Sequence, residues 1–340
     1  MPAVFSDSPG KQAVRELWNT PILRHLNTAH GLRYRYMGLP GVRLIDITLW
    51  KDMIDEIVAF EVRAQPNRRD PDGRRNILEL RENLRKINIP SVAYYGSMEQ
   101  VVCLRRDFDG VEYSQSNLVT LYNLDFCDEI ASKIETPEHG KQIWRFAAIR
   151  QILQDQSECF VRTQEDSLFV IMLTCRNQIG GRQLLEFLND QLYADTESYI
   201  NMAGGRSAIP GIGPLIGSHG WALKGYLYDQ FRQYMSNPHV SSIFLPVVKY
   251  IGTPVRTMDG PLESPMFHWM AVCKFGDRQA RKATHLPPSY LSSISSVLAQ
   301  GSDLTWDPEP GEDVPANGTP DPVRYVTPWL RQLLATETAR

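Results

Sequence analysis

Four short stretches of this 340-residue chain carry residue types suited to a ligand site, and they follow one another in a fixed order. Tyr36-Met37-Gly38-Leu39-Pro40-Gly41 is a glycine turn behind a short apolar run. Glu61 closes the apolar stretch 56–61. Ser97, Met98 and Glu99 form the polar tip of a second turn, after Tyr94-Tyr95-Gly96. Asn123-Leu124-Asp125-Phe126 continues the apolar stretch that starts at Leu118. A nucleotide-like ligand on an open α/β sheet needs such parts: a turn that lets the backbone come close, an acid for ribose hydroxyls, and polar groups at strand ends. Asn123 could accept a hydrogen bond from an amine. Asp125, directly after a buried strand, must be solvated, paired or hydrogen-bonded, and could take a proton or orient an N–H or O–H donor. The same residues also have plain readings: a structural turn for Gly38 and Gly41, a solvated strand-end acid for Glu61.

These groups need a scaffold, and hydrophobic periodicity predicts one. A leader helix spans about 11–26, with Val14, Leu17, Trp18 and Leu23 at helical spacing and a kink expected at Pro21. Strands are expected at 33–37, 57–62, 91–95, 118–124 and 168–174, with helices at 77–87, 142–154 and 182–192. The stretch 41–55 fits both periods. A helix from 48 to 55 is favoured, because parallel neighbours need a crossover. Residues 98–104 read as a short helix or another strand. A glycine-rich run at 201–225, a candidate substrate lid, leads into a helix at 223–235. Two closing strands, 240–250 and 266–275, are joined by a loop rich in glycine and proline. The predicted fold is α/β: a doubly wound, mostly parallel sheet closed by these two strands. The divisions are a helical arm at 1–32, a main domain at 33–300 with an insertion at 201–238, a linker at 301–322 and a helical tail at 323–340.

Composition removes several function classes. A net charge of -3 gives no global attraction to nucleic acid or anionic membrane. No stretch approaches the ~20 apolar residues of a membrane span, and the first eleven residues lack a signal-peptide core, so a cytoplasmic location is the expectation. The five cysteines show no CxxC spacing and read as buried reduced thiols. The seven histidines form no zinc pattern, so no metal is expected. Neither a GxxxxGK[ST] loop nor a GxSxG elbow is present. Locally, residues 63–86 hold Arg63, Arg68, Arg69, Arg74, Arg75, Arg81, Arg85 and Lys86 against Asp70, Asp72, Glu79 and Glu82. That segment could meet phosphate, with Tyr34, Tyr36, Tyr94 and Tyr95 to stack bases. A charge-mixed solvated surface is the plainer reading. In the tail, Trp329, Leu330, Leu333 and Leu334 could dock on another subunit.

The order of strands and helices, with its closing hairpin, resembles the class I S-adenosylmethionine-dependent methyltransferase fold over about 33–276. The resemblance implies a doubly wound, mostly parallel seven-stranded sheet with a C-terminal antiparallel hairpin, and S-adenosylmethionine as cofactor. Tyr36, Gly38 and Gly41 would hold its methionine part, Glu61 its ribose, and Ser97, Met98 and Glu99 its adenine. Asn123, Asp125 and Phe126 would face the methyl acceptor; the arginine-rich segment 63–86 and the local aromatic residues make nucleic acid the favoured acceptor. This chain departs from the family pattern at Arg35-Tyr36-Met37, where an acid is usual, and at Leu124-Asp125, where amino-methylating members carry two prolines. Two alternatives follow. One is a catalytically inactive methyltransferase-like scaffold acting through protein or nucleic-acid partners. The other is a Rossmann-like oxidoreductase, which the closing hairpin disfavours.

Overall fold

A computed structural model describes residues 9–62, 67–129, 132–135, 142–165, 167–176, 240–245, 248–251, 255–257, 260–262, 265–275 and 321–338. The helices predicted at 182–192 and 223–235, the glycine-rich run and the linker lie outside these residues.

Helix α1 (Pro9–Ala13), a π-helical stretch (Val14–Asn19) and α2 (Thr20–His30) form the N-terminal arm. The predicted kink takes the form of that π-helical stretch, immediately before α2 and its Pro21. Pro21 has no N–H to offer an α-helical ladder, so a local change of hydrogen-bond register is a low-cost response. Trp18, Ile22, Leu23 and Leu26 are buried. Gly31 ends α2 at φ 64, in the left-handed region.

Strand β1 (Tyr34–Gly38) leads to α3 (Ile45–Trp50), a 3₁₀ turn (Lys51–Met53) and β2 (Ile54–Glu61). The expected helix therefore lies earlier than 48–55, and Asp55 belongs to the strand. Trp50 fixes that boundary: it is fully buried and its Nε1 donates to Thr20 Oγ1 at 2.9 Å. Helix α4 (Arg75–Ile87), β3 (Ser91–Tyr95) and α5 (Met98–Leu104) follow. The fourth strand, β4 (Leu121–Glu129), starts later than Leu118. The Thr120 hydroxyl stands in the β1 ladder instead, accepting from Arg35 N at 2.7 Å and donating to Arg33 O at 3.0 Å.

The helix expected from 142 begins three residues on. β5 (Lys133–Glu135) pairs antiparallel with β6 (Gln142–Trp144), and only then does α6 (Arg145–Thr163) start. β7 (Leu168–Arg176) lies beside β4. The predicted strand 240–250 is two segments, β8 (Val240–Phe244) and β9 (Val248–Ile251), flanking Pro246 in the sequence. A small hairpin of β10 (Val255–Thr257) and β11 (Gly260–Leu262) stands where a loop was expected, ahead of β12 (Pro265–Phe275). Helix α7 (Val323–Thr338) packs on α2, burying Val326 and Leu330. The side chains of Leu333 and Leu334 are outside the described set.

The main sheet is eight-stranded, in the order β3-β2-β1-β4-β7-β12-β8, with β9 also on β12. β1, β2, β3, β4 and β7 are mutually parallel; β12 runs antiparallel to β7, β8 and β9. Apolar cores lie on both faces, as a buried parallel sheet requires. One core joins the arm and α4 to the sheet, and the other joins α5 and α6. Among the described residues no helix is long and apolar enough to cross a membrane. Cys103, Cys159, Cys175 and Cys273 are free thiols.

Candidate active site

The chain leaves β1 towards β2 on one side, while β4 leads to β7 on the other. The order therefore reverses between β1 and β4, and ligands of open α/β sheets bind outside the carboxyl ends of the strands at such a point. The register brings Gly38 opposite Asn123 there. A Cβ on Gly38 would lie 2.2 Å from the Asn123 carbonyl oxygen, so the neighbouring strand alone requires glycine. The Leu39 N–H donates to that same oxygen at 3.2 Å. Gly41 differs: it sits at φ 61, and no atom lies within 4 Å of an added Cβ.

Asn123 and Asp125 alternate onto one face of β4, the face that meets the arm. The Asn123 amide donates to Asp46 Oδ2 at 2.9 Å and to the Tyr36 hydroxyl at 3.2 Å. Asp46, on α3, is paired in turn with Arg15 of the arm. Asp125 is paired with Lys11 of α1. Burial pushes the Asp46 carboxyl up; Arg15 opposes that shift, and the nearby Asp125 charge adds to it. Burial likewise holds the Tyr36 phenol well above its ordinary value.

The row continues across the sheet, since Asp125 pairs with Thr174 and Thr174 with His268. Thr174 Oγ1 and His268 Nδ1 are 2.8 Å apart. Burial lowers the His268 imidazole to about 4, with the Asp125 charge pulling the other way, so the ring is neutral at pH 7. Among the described residues, Asp125 Oδ1 and His268 Nε2 are buried without a hydrogen-bond partner. Buried polar atoms are ordinarily satisfied, and these two are exceptions that stand in one row.

Other predicted residues lie elsewhere. Phe126 projects to the opposite face, buried under the Arg145 guanidinium at 4.6 Å. Ser97 caps α5, accepting from Gln100 N at 3.1 Å. Met98 is fully buried, and Glu99 receives a 2.6 Å hydrogen bond from Arg145 Nε. These three build the α5 entry and its packing on α6. Glu61 closes β2 as expected, partly buried, and burial raises its carboxyl to about 7 against hydrogen bonds from Asn76 and Val62.

In the basic segment, Arg74 and Arg81 reach Asp109, and Lys86 pairs with Glu82. Arg68, Arg69, Arg75 and Arg85 are exposed. Tyr34, Tyr36, Tyr94 and Tyr95 are buried. Sequence reasoning missed Lys11, Arg15, Asp46, Thr174 and His268. Their only sequence signal was position: Thr174 and His268 are polar residues inside strongly apolar strands.

No protein-family model and no curated protein matches the sequence. Among solved structures, the chain is similar to a precorrin 8W decarboxylase of Methanobacterium thermoautotrophicum: 10% identity, TM-score 0.30, covering 76% of this chain and 90% of that one. It is similar also to precorrin-6y C5,15-methyltransferase of Geobacter metallireducens, at 8% identity and TM-score 0.31, over 82% and 92% of the two chains. A third is coclaurine N-methyltransferase bound to N-methylheliamine and SAH, at 8% identity and TM-score 0.27, over 78% and 73%. The strand order is the better criterion: five parallel strands with the switch at β1 and β4, then one antiparallel strand inserted before the edge. By that order the fold is the one the sequence resembled, that of the class I S-adenosylmethionine-dependent methyltransferases.

Proposed function

We propose that the protein is an S-adenosylmethionine-dependent methyltransferase. The observation that carries this reading is the polar row Tyr36–Asp46–Asn123–Asp125–Thr174–His268 at the carboxyl edge of the sheet, beginning at its switch point. The residues fit the cofactor in part. The open turn at Gly41 leaves room for close approach, and Glu61 offers a partly desolvated acid to ribose hydroxyls. Ser97, Met98 and Glu99 are committed to α5, so the adenine seat is not assigned to them. When bound, the cofactor supplies an electrophilic methyl group. The chain's own task is to align a nucleophile and exclude water, which supplies much of the acceleration in such a displacement. Asn123, held from two sides by Asp46 and Tyr36, is pre-set for alignment.

Calorimetric titration with S-adenosylmethionine and its demethylated product tests this reading. Ribose hydroxyls donate to a carboxylate, not to a carboxylic acid. Because Glu61 sits near 7, affinity should rise between pH 6 and pH 8. Glu61→Ala should weaken binding about tenfold or more and remove that pH dependence. No binding by folded protein at either pH overturns the proposal in favour of a scaffold acting through partners.

A further inference from the structure

We infer that the cavity between strands β1–β3 and the segment 113–119 binds a small organic cation with N–H donors and a ring-sized apolar body. It lies apart from the switch point, at the amino halves of the strands and on the α6 face of the sheet. The inference goes beyond the methyltransferase reading and does not rest on it. Strand alternation and register build the floor: Arg35 stands beside Glu56, and Val58 beside Val92. The cavity exists because α5 is short. That helix starts beyond the carboxyl end of β3, and its seven residues rise only ~10 Å, whereas the eight residues of β2 run ~26 Å. The segment 113–119 lies over the rest without regular structure and leaves about 280 Å³ beneath it. A cavity of about 150 Å³ holds benzene, so a ring with a polar head fits.

The wall is fixed before any ligand arrives. Gln156 of α6 binds Val119 at both its N–H and its C=O. The Arg162 guanidinium donates to Ser116 O at 2.8 Å, and the Tyr113 N–H donates to Arg105 O at 2.8 Å. The polar groups left over on the lining are acceptors. Gln115 spends its amide nitrogen on Gln156 Oε1 at 2.6 Å. That orientation is forced, because the Gln156 amide nitrogen donates to Val119 O and so turns its carbonyl oxygen to Gln115. Gln115 Oε1 is thereby buried without a partner among the described residues. Arg35 pairs with Glu165 at 2.6 Å and not with its strand neighbour Glu56. Among the described residues, Glu56 receives only a 3.4 Å hydrogen bond from Asn117. An unused carbonyl and an unbalanced carboxylate call for N–H donors and positive charge. Val58, Val92 and Tyr94 supply the apolar side that holds the body of the ligand.

The probe is benzamidinium, titrated by calorimetry into the full chain without cofactor. Wild type should bind it with a Kd below about 1 mM, and benzoate, an anion of similar shape, should not bind. Glu56→Gln should weaken benzamidinium at least about tenfold, the worth of one charge-assisted hydrogen bond. Val92→Trp should abolish binding by filling the cavity. Val92 is 37% exposed, so the larger side chain leaves the core intact. Backbone resonances of 113–119 should move on titration, while those of Lys11 and His268 stay still. Equal binding of benzamidinium and benzoate, no binding by folded wild type, or binding that survives both variants overturns the inference. So does a response centred on the Asp46–Asp125 row. Failure here overturns this inference alone, and failure of cofactor binding overturns the methyltransferase reading alone.

Discussion

Two buried polar networks lie on opposite faces of the same central strands, and they are built on different terms. On the α6 face, Gln156 is neutral and fully used. Its amide donates to Val119 O at 2.7 Å, and its carbonyl oxygen accepts from Gln115 at 2.6 Å, Tyr122 at 2.9 Å and Val119 N at 3.0 Å. On the arm face, Arg15, Asp46, Asn123, Lys11, Asp125, Thr174 and His268 form a charged network with orphan atoms left over. Burial of polar groups alone therefore says little about function. Charge separates the two: Gln156 holds a loop to a helix through neutral bonds, with the neighbouring Gln115 Oε1 itself left without a hydrogen-bond partner among the described residues, whereas the arm-face row holds paired charges in place.

The comparison breaks most visibly if the two networks are cut in turn. Arg15→Met keeps the packed stem but leaves Asp46 buried without its cation, at a cost of about 4 kcal/mol at pH 7 by denaturant unfolding. Because the folded Asp46 already holds its proton more tightly than the unfolded one, the deficit should shrink as pH falls and the carboxyl becomes neutral. Gln156→Leu leaves the Val119 backbone and the Tyr122 hydroxyl unpaired, costing about 3 kcal/mol. Its deficit should stay constant from pH 5 to pH 8, since no partner titrates there. A flat profile for Arg15→Met would erase the distinction.

A smaller effect sharpens the same contrast. The Glu61 carboxyl, raised from 4.5 to about 7, binds its proton more tightly folded than unfolded, so it removes stability as pH climbs through that window. The His268 imidazole, lowered from 6.5 to about 4, does the opposite: stability is lost as pH falls from 6.5 towards 4. The two slopes oppose each other between pH 4.5 and 6.5. Glu61→Gln removes one of them. The variant should gain stability as pH rises from 4 to 6.5 and exceed wild type by about 2 kcal/mol at pH 8, a figure discounted for partial exposure. Thermal melts across that range decide it.

The strand positions were largely legible because a parallel strand buried on both faces leaves a continuous apolar run, as at 168–174. Errors fell where side chains took over backbone work. Thr120 displaced the start of β4, and Trp50 fixed the end of the short helix in 41–55. The site was half legible. Asn123 and Asp125 stand together at the switch point, but the residues that make a network of them come from 77 to 143 positions away for Asn123–Asp46 and Asp125–His268.

What the sequence determined by itself was the alternation of strands and helices and the acid that closes β2. These are local consequences of periodicity and turn chemistry. Tertiary structure alone decided which polar residues share a face, which cation covers which carboxylate, and which atoms stay unpaired. Pairing is a property of distance in space. The register of β4, β7 and β12 sets Asp125, Thr174 and His268 side by side, and the fold of the arm sets Lys11 and Arg15 above the carboxylates.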